Sequence, residues 1–325
     1  MKRANPAGEL QVAGCRGPKG RLRAATMNGS FPDRMQSGLP AAVAAYLIWG
    51  VLPLYLILVR EVPPFEFVGW RIIWTLPLCL AIVAFRRQGP ELRRALSDRR
   101  SMLVLTGSAL LIGVNWLVYI WAIQRGHVYA ASLGYYINPL VNVLLGTLLL
   151  GERLSRRQWI AVALAGIGVA LLLGGALTTL WISLTLAFSF GTYGLLRKQV
   201  AVGSLPGLTI ESAILLLPAA GIAWYFAQSP AGSSFGHELG LSLLIVLGGV
   251  LTAVPLLLFA IAARKLPYST LGFVQFLAPT LVFILGLTVF GEELQPAQLA
   301  CFVLIWTACG LFVWDILARR RQSAA

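Results

Sequence analysis

Charge is scarce in this chain. Of its 325 residues only 12% are Asp, Glu, Lys or Arg, and just 12 are acidic. A soluble domain of this length needs a polar shell around its core, and these residues cannot supply one. Histidine and cysteine are almost absent too, at two and four. Cys15, Cys79, Cys301 and Cys309 have no framework spacing, and three of them sit in apolar runs, so they read as small apolar fillers. A zinc site lacks ligands, and no His-Glu-x-x-His or P-loop motif occurs. No cofactor is expected. The stretch "GSSFG" at 232–236, followed by His237, matches Gly-x-Ser-x-Gly. It lacks the strand-to-helix setting of a nucleophile elbow and reads as a chance match.

What the chain has is apolar sequence. It is 58% hydrophobic, with a mean hydropathy of +0.78. The apolar residues gather in ten runs, at 41–59, 66–85, 102–123, 129–149, 158–174, 177–196, 207–227, 241–263, 268–290 and 297–317. Each is close to the ~20 residues that carry a helix across a ~30 Å hydrocarbon layer. The runs do not alternate as barrel strands do. The reading is an all-α polytopic membrane protein with ten transmembrane helices.

The net charge of +14 would suit nucleic acid, but its distribution argues against that partner. Twenty-three of the 26 Lys and Arg lie in the N-terminal stretch, the even-numbered connections and the C-terminal end. The odd connections hold only Arg60 and Arg125, and Arg71 lies inside a run. This positive-inside pattern puts both termini in the cytoplasm. Residues 1–38 are rich in Gly, Pro and Arg and lack an apolar core, so they read as a disordered basic tail rather than a secretory signal. Met27 and Met35 are alternative starts.

The chain also repeats itself. "LGYYINPLVNVLLGTLLLGE" at 133–152 is written again as "LGFVQFLAPTLVFILGLTVFGE" at 271–292. Pro139 aligns with Pro279, Gly146 with Gly286, and Gly151-Glu152 with Gly291-Glu292, at an offset of 140. Earlier, Trp49-Gly50 matches Phe190-Gly191, and Pro77 matches Pro218, at 141. The chain thus divides into the tail, a five-helix unit at 39–175, a second at 176–318 and a basic C-terminal tail at 319–325. Five is odd, so the second unit would insert upside down. Inverted repeats are the architecture of many secondary transporters.

These residues carry a resemblance. "AAYLIWG" at 44–50, "IGVNWLVYIWAI" at 112–123, "ASLGYYINPLVNVLLG" at 131–146 and "STLGFVQFLAPTL" at 269–281 resemble the RarD branch of the EamA-domain transporters, in the drug/metabolite transporter superfamily. The resemblance covers about Leu39 to Asp315, and the long N-terminal tail departs from it. It implies a ten-helix, carrier-type permease of a bacterial inner membrane, and it leans towards efflux.

Polar residues inside the runs fall at helical spacing. Tyr46, Trp49 and Pro53 share one face; so do Asn115 and Tyr119; Gly134, Asn138 and Asn142, with Tyr135 beside them; Thr185, Ser189 and Tyr193; and Gly272, Gln275 and Pro279. Facing lipid would be costly, so the stripes should face the bundle interior. They can be hydrogen-bonding glue between helices, or they can line one polar-aromatic cavity for an amphipathic organic molecule. The second reading makes Tyr46, Trp49, Asn115, Tyr119, Tyr135, Asn138, Asn142, Ser189, Tyr193 and Gln275 substrate-binding candidates. Pro139 and Pro279 are candidate kinks. Arg71 and Glu211 are candidates for coupling, Glu211 with protons as the coupling ion. They sit a few residues inside opposite faces of the membrane, with ~17 Å of height between them, too far to pair. Gly151 with Ser155 and Gln158 should end one helix and cap the next. Small residues at 161, 165, 166 and 170 leave both a monomer and a homodimer open. Two rival classes stay in view: a non-transporting scaffold or sensor, and a membrane-embedded enzyme.

Overall fold

The computed structural model describes residues 31–173, 177–230, 232–291 and 293–324. Among them no strand occurs, and the chain is a bundle of α-helices. In order they are α1 (Phe31–Leu58), α2 (Pro64–Phe85), α3 (Gly89–Ser97), α4 (Arg99–Gln124), α5 (Val128–Leu148), α6 (Arg156–Leu171), α7 (Leu180–Gln199), α8 (Ser204–Ala227), α9 (Leu239–Lys265), α10 (Tyr268–Gln275), α11 (Leu277–Thr288) and α12 (Pro296–Ala324).

Local sequence explains several boundaries. Proline at the first helical position starts α2 and α12, where a missing N–H costs nothing. Asp98 starts α4 by accepting from the Ser101 N–H at 3.1 Å, and the Ser101 hydroxyl and N–H hold the Asp98 carboxyl below its usual range. Gly151 takes φ +67°, the left-handed turn expected where α5 runs out, and Gly291 takes the same φ past α11. Ser155 and Gln158 form the expected capping box at α6.

Among the described residues nine segments are long and apolar enough to cross a bilayer. The fifth expected run is a helix, α6, but it has 16 residues, or ~24 Å at 1.5 Å each, short of a ~30 Å core. Two further departures are local. The 86–101 connection carries a short helix, α3, of strongly amphipathic pattern. The ninth run is not one helix, for it breaks at Phe276 between α10 and α11. Pro279 supplies the reason: it has no N–H for the Gln275 carbonyl, and its ring crowds that carbonyl. Its counterpart Pro139 sits inside an unbroken α5.

The connections sort into two ends. At one end Glu91 accepts from the Gly203 N–H at 2.8 Å, Arg264 donates to the Val202 carbonyl, and Lys198 donates to the Ala263 carbonyl at 2.9 Å. This is the basic end. At the other, charge-poor end, Tyr129 in the first turn of α5 donates to the Leu172 carbonyl just past α6, at 2.7 Å. There too Glu66, wholly buried in the first turn of α2, accepts from the Ser233 hydroxyl (2.6 Å), the Ser234 N–H (2.8 Å) and the Ser234 hydroxyl (2.8 Å). The serines of "GSSFG" therefore tie a loop to a carboxylate.

Packing pairs α6 with α12, α2 with α8, α5 with α10, α1 with α9, and α4 with α7. Ala161, Ala165 and Gly168 of α6 are buried, and a Cβ on Gly168 would meet the Cys301 carbonyl of α12 at 3.1 Å. These small residues let two helices of one chain approach closely.

Candidate functional site

The stripes of α1, α5 and α10 meet at Gln275. Gln275, at the C-terminus of α10, is buried and holds three partners. Its Oε1 accepts from Asn142 Nδ2 at 2.7 Å and from Tyr46 Oη at 3.4 Å, and its Nε2 donates to Asn138 Oδ1 at 2.9 Å. Asn138 Nδ2 donates to the Ala187 carbonyl at 3.1 Å. One side chain thus joins α1, α5 and α10, and through Asn138 reaches α7. The break at Phe276 lies next to it. Asn142 Oδ1 is the one atom of the group left without a partner.

An aromatic cluster adjoins this network. Trp49 lies 5.6 Å from Tyr46, 5.7 Å from Phe190 and 5.9 Å from Phe259, ring centre to ring centre. Tyr193 stacks on Phe259 at 6.1 Å. Asn115 stands apart from Gln275. Its Nδ2 donates to Ser189 Oγ and to the Leu186 carbonyl, both at 2.9 Å, which fastens α4 to α7.

The ionisable candidates do not meet each other. Arg71 is the eighth residue of α2 and Glu211 the eighth of α8, each ~10 Å from its helix start. Glu211 is therefore two turns in, beyond the first turn where the helix dipole acts. Its partner is Arg197, Nε to Oε1 at 3.7 Å, with both side chains buried. The Ser108 hydroxyl also donates to Oε1. Arg197 Nη2 donates to the Ser204 carbonyl at 2.7 Å. The sequence reading placed Arg197 in a connection. It is the last turn of α7, four residues beyond Tyr193, so it continues the stripe of Thr185, Ser189 and Tyr193. That spacing was the signal for it. Glu211 and Tyr193 lie side by side, and both residues border a small cavity with room for about one water. Thr75, Ser212 and Trp116 complete its polar and aromatic wall.

Arg71 lies with its Cζ 4.4 Å above the Trp116 ring. Tyr119 and Tyr135 pair edge to face at 5.8 Å nearby. Two more carboxylates were missed. One is Glu66. The other is Asp315 of α12, buried between Arg319 (3.0 Å) and the Ser155 hydroxyl (2.8 Å). Glu152 proves to cap the other half of the chain. It accepts from the Tyr268 N–H, the Ser269 N–H (2.9 Å) and the Ser269 hydroxyl (2.7 Å) at the start of α10. Its counterpart Glu292 lies outside the described residues.

A multi-pass helical bundle with polar residues buried between its halves is the build of an integral membrane transporter. Comparison with known proteins agrees. The model of the EamA-like transporter family matches residues 36–174. An uncharacterised transporter of Pseudomonas aeruginosa is 43% identical over 86% of this chain and 94% of its own. Protein RarD of Escherichia coli K12 is 41% identical over 89% and 98%. The chloramphenicol-sensitive protein RarD of Pseudomonas aeruginosa is 30% identical over 88% and 97%. A crystal structure with 22% identity shares the fold, with a TM-score of 0.68 over 88% of this chain and 99% of its own. The chain belongs to the EamA-like transporter family, as a RarD-like permease of the drug/metabolite superfamily. The family and the names of the relatives point to transport rather than to an enzyme.

Proposed function

We propose that the protein is a carrier that moves a small organic metabolite or drug-like compound across a bacterial inner membrane by alternating access, in the efflux direction. The basic end faces the cytoplasm in this reading, with both termini on that side, as the positive-inside pattern requires. The observation that carries the proposal is the Gln275 network, a polar knot buried between the two halves. It forms the partition between the two sides of the membrane, and solute passes when it opens. Hydrogen bonds of this kind in membranes contribute about 0.6 to 1.7 kcal/mol each, little enough to exchange for bonds to a substrate. Tyr46, Trp49, Asn138, Asn142, Tyr193 and Gln275 form its wall. Asn115 and Ser189 stand apart from this network and act as fasteners of α4 to α7.

Alternating access rests on two inverted five-helix units, residues 39–175 and 176–318. Three facts support this reading. The helix pairings exchange into one another when each helix is swapped for its repeat counterpart: α1–α9 for α4–α7, while α2–α8 and α6–α12 map onto themselves. The glycines obey the same exchange, for a Cβ on Gly50 would meet Leu281 at 2.6 Å and one on Gly191 would meet Val141 at 2.8 Å. The counterparts Trp49 and Phe190 touch across the centre. The tenth crossing is α6, whose ends reach the basic end through Ser155 and the charge-poor end through Leu172. In such a fold a state open at one side converts into its mirror when the halves exchange conformations.

Protons would act at Glu211, which stands beside Tyr193 at the edge of a space for about one water. Uptake and efflux in proteoliposomes, with and without a proton gradient, test the proposal against a panel of amphipathic metabolites. Saturable movement that responds to the gradient is the expected result. Movement no faster than in protein-free vesicles would leave the scaffold reading.

A further inference from the structure

Arg71 and Glu211 are the two ionisable residues that sit eight residues into α2 and α8, at equal depth from opposite ends of the bundle. Glu211 has its counter-charge in Arg197. Arg71 has none, for among the described residues no carboxylate stands within ion-pair distance of it. Its Nε is buried without a partner. A guanidinium cannot shed its proton to escape that setting, as a lysine can.

The surroundings are built rather than incidental. Arg71 lies over Trp116 of α4, and the hydroxyls of Tyr119 of α4, Tyr135 of α5 and Tyr55 of α1 are within electrostatic reach. Aromatic groups from three other helices therefore surround the cation, so it faces the bundle and not the lipid. Tyr135 is the accessible edge of this cluster. It shares a face of α5 with Asn142 and Gly146, seven and eleven residues on, which are buried. The opposite face carries Leu144 and Leu148, exposed as lipid-facing residues are. Yet Tyr135 is 48% accessible. The inward face of α5 is thus closed towards the basic end and open towards the charge-poor end. One uncompensated positive charge and several rings thus stand together towards the charge-poor end.

Resting on the carrier reading, we propose that Arg71 is the anion-binding residue of the transport pathway, and that the substrate is an organic anion: a carboxylate or phosphate group on an apolar or aromatic body. The planar fork of Arg71 takes the anion bidentately, and Trp116, Tyr119 and Tyr135 take the body. Trp116 also borders the cavity at Glu211, so occupancy at Arg71 is felt where the proton would bind.

A lipid phosphate offers the same chemistry, and the test separates the two. Purified, delipidated protein in neutral detergent is treated with phenylglyoxal, and modification of Arg71 is read by mass spectrometry. Phenylacetate and phenyl phosphate are expected to slow it by about tenfold, the effect of ~1.4 kcal/mol of binding, while phenylacetamide leaves it unchanged. Equal protection by the amide, no protection by either anion at the limit of solubility, or an Arg71 the reagent never reaches would each overturn the proposal. So would protection in phosphatidylglycerol nanodiscs, absent in phosphatidylcholine, that the two probes do not add to, since the site would then hold a headgroup. Transport separates this inference from the carrier reading. If the wild type carries a neutral or cationic solute and Arg71→Gln carries it at the same rate, the anion inference falls and the carrier stands. If the wild type carries nothing, the carrier falls. Arg71→Lys is expected to bind phenylacetate more weakly than the wild type but measurably, and Arg71→Gln not at all, both read by calorimetry, a gradation a purely structural arginine would not show.

Discussion

Replacing Gln275 by Leu tests whether the central knot exists as described. The change keeps the volume nearly constant and deletes three hydrogen bonds, of 2.7, 2.9 and 3.4 Å. The two short ones are worth about 1 to 3 kcal/mol together at the range found in membranes. The long one adds little. Asn142 then has no partner for either end of its amide, because its Oδ1 is already unpaired and its side chain is wholly buried. Stranding that donor adds about 1 to 3 kcal/mol. The expected loss is about 2 to 6 kcal/mol, read by unfolding in mixed micelles and followed through tryptophan fluorescence. Asn142→Leu on the Gln275→Leu background should cost much less than it does alone, a coupling of at least ~1 kcal/mol. A cost below ~0.5 kcal/mol with additive single effects would refute the network and return these residues to lipid-independent packing.

Arg197→Met leaves Glu211 buried without its counter-charge and should destabilise the protein by about 3 to 5 kcal/mol at neutral pH. Adding Glu211→Gln should recover most of that, and no recovery would mean the pair is not coupled. Glu66→Gln weakens the clasp on Ser233 and Ser234, and amide exchange in the 228–238 loop should rise about tenfold; an unchanged rate would show the loop is held by other contacts. In a cysteine-free background, Arg94→Cys and His237→Cys should react from opposite sides with a membrane-impermeant reagent. Both positions are exposed, and labelling of both from one side would break the topology.

Nine of the apolar runs and several helix caps were legible because they depend on neighbours in sequence. Gly151, Ser155 with Gln158, Pro64 and Pro296 each act within a turn of themselves. The stripes were legible as faces, since periodicity says which residues point together. It does not say what they meet. Gln275 finds Asn142 133 residues away, and Glu66 finds Ser234 168 residues away. No local pattern encodes those partners. Arg197 was hidden by a different cause: a charge at a helix end looks solvated, and only its place on the Tyr193 stripe hinted otherwise. The break at Phe276 shows the same limit, because Pro139 occupies the matching position without breaking α5.

The central claim is solute movement by a carrier, and exchange in proteoliposomes tests it most directly. Vesicles loaded with an unlabelled organic anion from the panel are diluted into a trace of the same compound carrying label. A carrier with alternating access predicts that the label accumulates inside above its outside level and then decays, and that Gln275→Leu changes the rate while leaving the protein inserted. Equilibration without overshoot, or no entry beyond that of protein-free vesicles, would contradict it.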